Sequence, residues 1–136
     1  MPAEAAFVDT NILLYAMVPG DRRGLLADSL IRTRPVINVQ VLNEFANVTR
    51  RKLDWSWKRI EEALDTIQQF CGVPRPLTVE IHRSALEIAR THNFSVYDAL
   101  IVAAALEAGC TTLYSEDMHS GQRVRSLTIR NPFIPN

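Results

Sequence analysis

Four acidic side chains, Asp9, Glu44, Asp98 and Asp117, stand where a carboxylate needs a reason. Asp9 closes the short apolar run from Ala5, and open α/β sheets put ligand sites at such strand ends. Asp117 follows the run Thr111 to Ser115 in the same way, within Ser-Glu-Asp-Met. Asp98 stands at the entrance of Ala99 to Leu106, which is apolar on every side and so reads as a helix buried around its circumference. A charge at that entrance is costly unless it is paired. Glu44 falls about 40° beyond Val48, on the margin of the stripe Val41, Leu42, Phe45 and Val48. Each acid also has an ordinary reading. Asp9 can cap the helix that follows, a job Thr10 or Asn11 could also do. Ser95 and Asp98 have capping-box spacing, and a marginal Glu44 can simply be solvated.

What joins three of them, Asp9, Asp98 and Asp117, is topology. Helices of a wound sheet run against its strands, so the entrance of the Asp98 helix lies on the sheet edge where Asp9 and Asp117 emerge. Two like charges about 4 Å apart repel by ~4 kcal/mol at an effective dielectric near 20. A divalent cation offsets that repulsion, and an all-oxygen donor set without Cys or His suits magnesium or manganese. Such an ion activates water and stabilises the charge of a phosphoryl centre.

The elements that must deliver these groups can be read from hydrophobic periodicity. After the strand ending at Asp9, a brief helix through Ile12 to Ala16 is broken at Pro19-Gly20, and a second helix spans Asp21 to Arg32. A buried strand at Pro35 to Asn38 precedes helices over Val39 to Leu53 and Trp55 to Phe70. Leu77-Thr78 reads as a minimal strand, and helices follow over Val79 to Thr91 and Val96 to Ala108, the latter stopped by Gly109. Strands over Thr111 to Ser115 and Leu127 to Phe133 complete the alternation. The pattern predicts one α/β domain over residues 1–136, built on a mostly parallel sheet of about five strands. Core packing is the expectation for both Trp55 and Trp57.

Composition narrows the function. With 136 residues and 47% hydrophobic content the chain can build a core, which excludes a disordered chain and a disulfide miniprotein. Fifteen basic residues balance fifteen acidic ones, so any attraction for nucleic acid must be local. All but Lys52 and Lys58 of the basic residues are Arg, whose planar fork suits phosphate; Arg50, Arg51 and Arg59 are candidates for phosphate contacts. Cys71 and Cys110 have no C-x-x-C companion, which fits a reducing cytoplasm, and neither a signal peptide nor a membrane span is expected. No Gly-Lys pair exists for a P-loop, and His82, His92 and His119 form no H-E-x-x-H zinc pattern. A haloacid-dehalogenase-like phosphatase needs an acid where Asn11 stands, and a receiver domain needs a strand-end Lys that is missing.

Phe7-Val8-Asp9-Thr10-Asn11, Asn43-Glu44-Phe45, Tyr97-Asp98-Ala99-Leu100-Ile101-Val102-Ala103-Ala104 and Tyr114-Ser115-Glu116-Asp117-Met118 occur in that order. With the ending Asn131-Pro132-Phe133, they resemble the motifs of PIN domains of the VapC toxin type over essentially the whole length. The resemblance implies a three-layer α/β/α sandwich and a magnesium-dependent endoribonuclease in which manganese can substitute. It places Asp9, Glu44, Asp98 and Asp117 in the catalytic set, with Asp9, Asp98 and Asp117 as metal ligands, and Thr10, Asn11 and Ser115 as neighbours that orient carboxylates or water. It favours Asp117 over the adjacent Glu116. It further implies an RNA substrate, a homodimer and a cognate antitoxin whose peptide occupies a groove near the site. The competing expectation is a PIN-like binding or assembly module that keeps its acids for capping.

Overall fold

The computed structural model describes residues 5–135. Strand β1 (Ala6–Val8) runs into helix α1 (Thr10–Met17), followed by α2 (Gly24–Ile31), α3 (Val39–Arg51), α4 (Trp57–Cys71), α5 (Val79–His92) and α6 (Val96–Glu107). The chain then returns to the sheet through β2 (Thr112–Tyr114), β3 (Arg123–Val124) and β4 (Leu127–Arg130). The sheet order is β1-β2-β4-β3; the first three neighbours are parallel and β3 is antiparallel to β4. The architecture is the expected α/β/α sandwich with a slightly smaller sheet.

Where about five strands were expected, four form among the described residues. The run at Pro35 to Asn38 contributes only single bridges, Val36 to Phe7 and Asn38 to Arg75. Asn38 instead turns the chain into α3, its Oδ1 accepting from Val41 N at 3.1 Å, so the segment ends before a ladder can build. Leu77-Thr78 is not a strand, because Thr78 caps α5 through Ile81 N. The last strand ends at Arg130, since Asn131-Pro132 turns away. The two-residue β3 was not foreseen; it is too short to show alternation.

Five helices begin on a side-chain cap, Asp9, Asn38, Ser56, Thr78 and Ser95, each satisfying one of the backbone N–H groups a first turn leaves open. Helix α6 is buried continuously from Ala99 to Ala105 and packs on β2 and β4, with α5 against its outer side. It ends as expected at Gly109, whose φ of 78° suits a residue without Cβ. Helix α1 packs against α2 and α3, and α4 packs against α3 and α2. Among the described residues no helix is long and apolar enough to cross a membrane.

The two tryptophans part company. Trp55 is buried, its ring edge-on to Phe45 at 6.2 Å, whereas Trp57 is 59% exposed, contrary to the expectation of a core place for both. Ser56 begins α4 between them, so the preceding and following side chains leave the backbone in different directions.

Candidate active site

The rim of the sheet is set by the register of β1 on β2. Val8 pairs with Tyr114, so Asp9 and Ser115 emerge side by side, tied by Asp9 N to Tyr114 O at 2.9 Å. Asp9 is buried, and both carboxylate oxygens are held: Oδ1 accepts from Thr10 N at 2.7 Å, Oδ2 from Ser115 Oγ at 2.8 Å. Burial pushes the Asp9 carboxyl up to about 6 against these two hydrogen bonds, and the charges of Glu44 and Asp98 push it further the same way.

Glu44 reaches the site from α3. Its Oε2 accepts the Thr10 hydroxyl at 2.5 Å and its Oε1 the Gln40 amide at 3.3 Å, so this marginal acid faces α1 and is only half-buried. Asp98 enters on the first turn of α6, where Ser95 Oγ accepts from its backbone N–H at 3.1 Å. Its carboxyl is raised by burial first, and by the charges of Asp117 and Glu44, while Ser95 opposes the shift. Asp117 is exposed on the loop after β2 and its Oδ2 accepts from Asn11 Nδ2 at 3.1 Å. The four acids therefore share one edge and sense one another. Asp9 and Asp98 do so while also serving as helix-start residues, so the two readings of those acids coexist.

Among the described residues, no group of three or more Asp, Glu, His or Cys side chains is placed so that it could hold a metal ion together. The expected triad Asp9, Asp98 and Asp117 shares an electrostatic neighbourhood without forming a closed coordination shell. The donor chemistry still suits a hard cation: every group is a carboxylate, and those engaged here keep unused lone pairs.

Glu116 has other employment. It accepts from the Tyr15 hydroxyl and from Arg23 Nη1 at 2.7 and 3.0 Å, and Arg23 is in turn forked onto Asp21 and stacked 4.0 Å from the Tyr15 ring centroid. Sequence reading missed Tyr15 and Arg23 entirely. The only local signal was Asp21-Arg22-Arg23, which gives no hint of a partner ninety-three residues away.

A sandwich whose parallel strands and one buried helix deliver carboxylates to a single sheet edge is an α/β domain with its candidate site at the carboxyl ends of the strands. A family model for the PIN domain matches residues 6–121, and the chain belongs to that family. No curated protein matches it in sequence. Among solved structures, Mycobacterium tuberculosis VapC20, a sarcin-ricin loop cleaving toxin, superposes with a TM-score of 0.66 at 23% identity, over 83% of this chain and 90% of that one. VapBC2 from Rickettsia felis, bound to a DNA fragment from its promoter, gives 0.66 at 17% identity, over 93% and 97% of the two chains. FitAcB from Neisseria gonorrhoeae gives 0.66 at 19%, over 94% and 98%.

Proposed function

We propose that this PIN domain protein, one domain over residues 1–136, is a divalent-metal-dependent endoribonuclease, the toxin of a toxin–antitoxin pair acting in the cytoplasm. One observation carries the reading: Asp9 is buried at the sheet rim although burial, Glu44 and Asp98 all work against its charge. A carboxylate kept there against its own ionisation is what a cation site needs and a cap alone does not.

Asp9, Asp98 and Asp117 would hold the cation. Magnesium or manganese, when bound, supplies positive charge to a phosphodiester and lowers the pKa of water. The chain's own part is orientation. Ser115 and the Thr10 amide fix the plane of the Asp9 carboxylate, Asn11 fixes Asp117, and Thr10 holds Glu44 where it can accept a proton from water or position it. Glu116, engaged by Arg23 and the Tyr15 hydroxyl, stays out of the reaction.

In this reading the partners are an RNA substrate, a cognate antitoxin and a second copy of the chain; the likeness to VapBC2 and to a sarcin-ricin loop cleaving toxin supports the first two. A binding module is the second reading, favoured by the capping bonds of Asp9 and by Ser95 at Asp98. Calorimetric titration with manganese, together with cleavage of a panel of structured RNAs, separates the two. The nuclease binds manganese and cuts RNA, and Asp9→Asn and Asp98→Asn abolish both; binding and cleavage unaltered in these variants would overturn the assignment.

A further inference from the structure

The ribonuclease reading leaves open which part of an RNA the chain grips, and a cavity of about 420 Å³ beside the acids bears on it. Its walls are Gln40, Asn43, Glu44 and Asn47 from α3 and Tyr97 from the first turn of α6. The α3 positions recur at helical spacing and so form one face. Gln40 is committed to Glu44, but among the described residues the amides of Asn43 and Asn47 have no hydrogen-bond partner in the chain. Each offers donors and an acceptor in one plane, the set that matches the edge of a nucleobase. Tyr97 is 65% exposed and adjoins Asp98 in the chain, so a bare aromatic ring stands at the border of the acidic site.

Further along α3 the same surface becomes basic. Arg50 and Arg51 end the helix, Lys52 follows, and Lys58 and Arg59 lie in the first turn of α4. Asp54 is the one acid among them, in a chain with no net charge. Arg50 is fixed by a 3.0 Å bond to Trp55 O and lies 4.6 Å from the ring centroid of the exposed Trp57. A guanidinium stacked in this way keeps N–H groups at its edge for phosphate.

A bare ring, unspent amides and a basic end are complementary to single-stranded nucleic acid, whose bases stack and are read while cations hold the backbone. We infer that this cavity is the subsite for an unpaired nucleotide of the RNA substrate. Tyr97 stacks on the base, Asn43 and Asn47 read its edge, and the strand's phosphates run towards Arg50 and Arg51. A base inside a duplex is already stacked and paired, so the substrate class is a loop or another unpaired stretch. The subsite rests on the ribonuclease reading and adds to it where the substrate is recognised.

The test uses the Asp9→Asn protein with magnesium, so that RNA is not consumed, and fluorescein-labelled oligonucleotides read by anisotropy. The strands are unpaired and differ at one base, beside a duplex of the same sequence. Unpaired RNA binds more tightly than duplex, Tyr97→Ala weakens binding about tenfold, and Tyr97→Phe restores it. Asn43→Ala and Asn47→Ala change the ranking of the bases. Binding by Tyr97→Ala equal to that of its parent, or equal affinity for duplex, overturns the subsite. So does loss of binding that accompanies conversion of a dimer to a monomer in light scattering, which would assign the face to a second copy. If the parent binds no RNA at all, the ribonuclease reading itself falls.

Discussion

Ser115 Oγ donates to Asp9 Oδ2 at 2.8 Å, joining the ends of two neighbouring parallel strands across 106 residues of chain. The same Oγ accepts from Met118 N at 3.4 Å, so one hydroxyl fixes both the carboxylate and the turn that carries Asp117. Ser115→Ala should therefore weaken manganese binding by about 10- to 100-fold, the usual cost of losing a group that orients a ligand. It should also cost about 1 kcal/mol of stability. Calorimetry and urea denaturation read the two effects; manganese affinity equal to wild type would remove Ser115 from the site.

The Asp9 carboxyl titrates near 6 in the folded chain, against an ordinary value of 3.8. Between those values the folded state holds a proton that the unfolded state has released. That contribution to stability is complete below the lower value and is lost as pH rises through the higher one. Asp98 is shifted in the same direction. Asp21, lowered to about 2 chiefly by Arg23, works oppositely, but its contribution is lost only as pH falls below the ordinary carboxyl range. Metal-free protein should therefore melt several degrees higher at pH ~5 than at pH ~7, with Asp9 contributing on the order of 2 kcal/mol. Asp9→Asn should flatten most of that rise; thermal melts in chelator with an unchanged pH profile would show that Asp9 is ionised throughout.

Neighbouring acids on the loop after β2 should separate cleanly. Glu116 is bound by Tyr15 and Arg23, whereas among the described residues the Asp117 carboxylate accepts a hydrogen bond from the Asn11 amide alone. Glu116→Gln should lower the melting temperature and leave manganese affinity intact. Asp117→Asn should do the reverse, weakening manganese while stability holds or rises as like-charge repulsion with Asp98 is relieved. Equal metal affinity losses in both variants would mean that the loop acts as a unit.

Trp55 packs edge-on against the fully buried Phe45, and Trp57 lies on the surface under Arg50. Trp55→Ala should cost about 3–5 kcal/mol in urea denaturation. Trp57→Ala should cost less than about 1 kcal/mol. Similar costs would contradict the burial of the first and the exposure of the second.

Much of the molecule follows from short-range pattern. The uninterrupted apolar run Ala99 to Ala105 can only be a buried helix, and Ser95, Thr78 and Gly109 punctuate helices by bonds or backbone freedom confined to a few residues. The edge shared by Asp9, Asp98 and Asp117 was legible for a similar reason: strand ends and a helix entrance share one sheet edge whatever the loops do, whereas Glu44, inside α3, owed its place to the motif resemblance. What no local pattern contains is which side chain meets which across that edge. Thr10 finding Glu44, Asn11 finding Asp117, and Arg23 with Tyr15 claiming Glu116 are long-range contacts, and each depends on loop paths and helix rotations fixed only when the core packs. The missing fifth strand has the same origin: Val36 lies beside Phe7, but the cap at Asn38 starts α3 before pairing can extend. Sequence thus determined the helices, the strands β1 and β2, and the edge shared by Asp9, Asp98 and Asp117, because those obey periodicity and handedness. Tertiary structure alone decided the pairings, because they arise from packing that the linear order of residues does not encode locally.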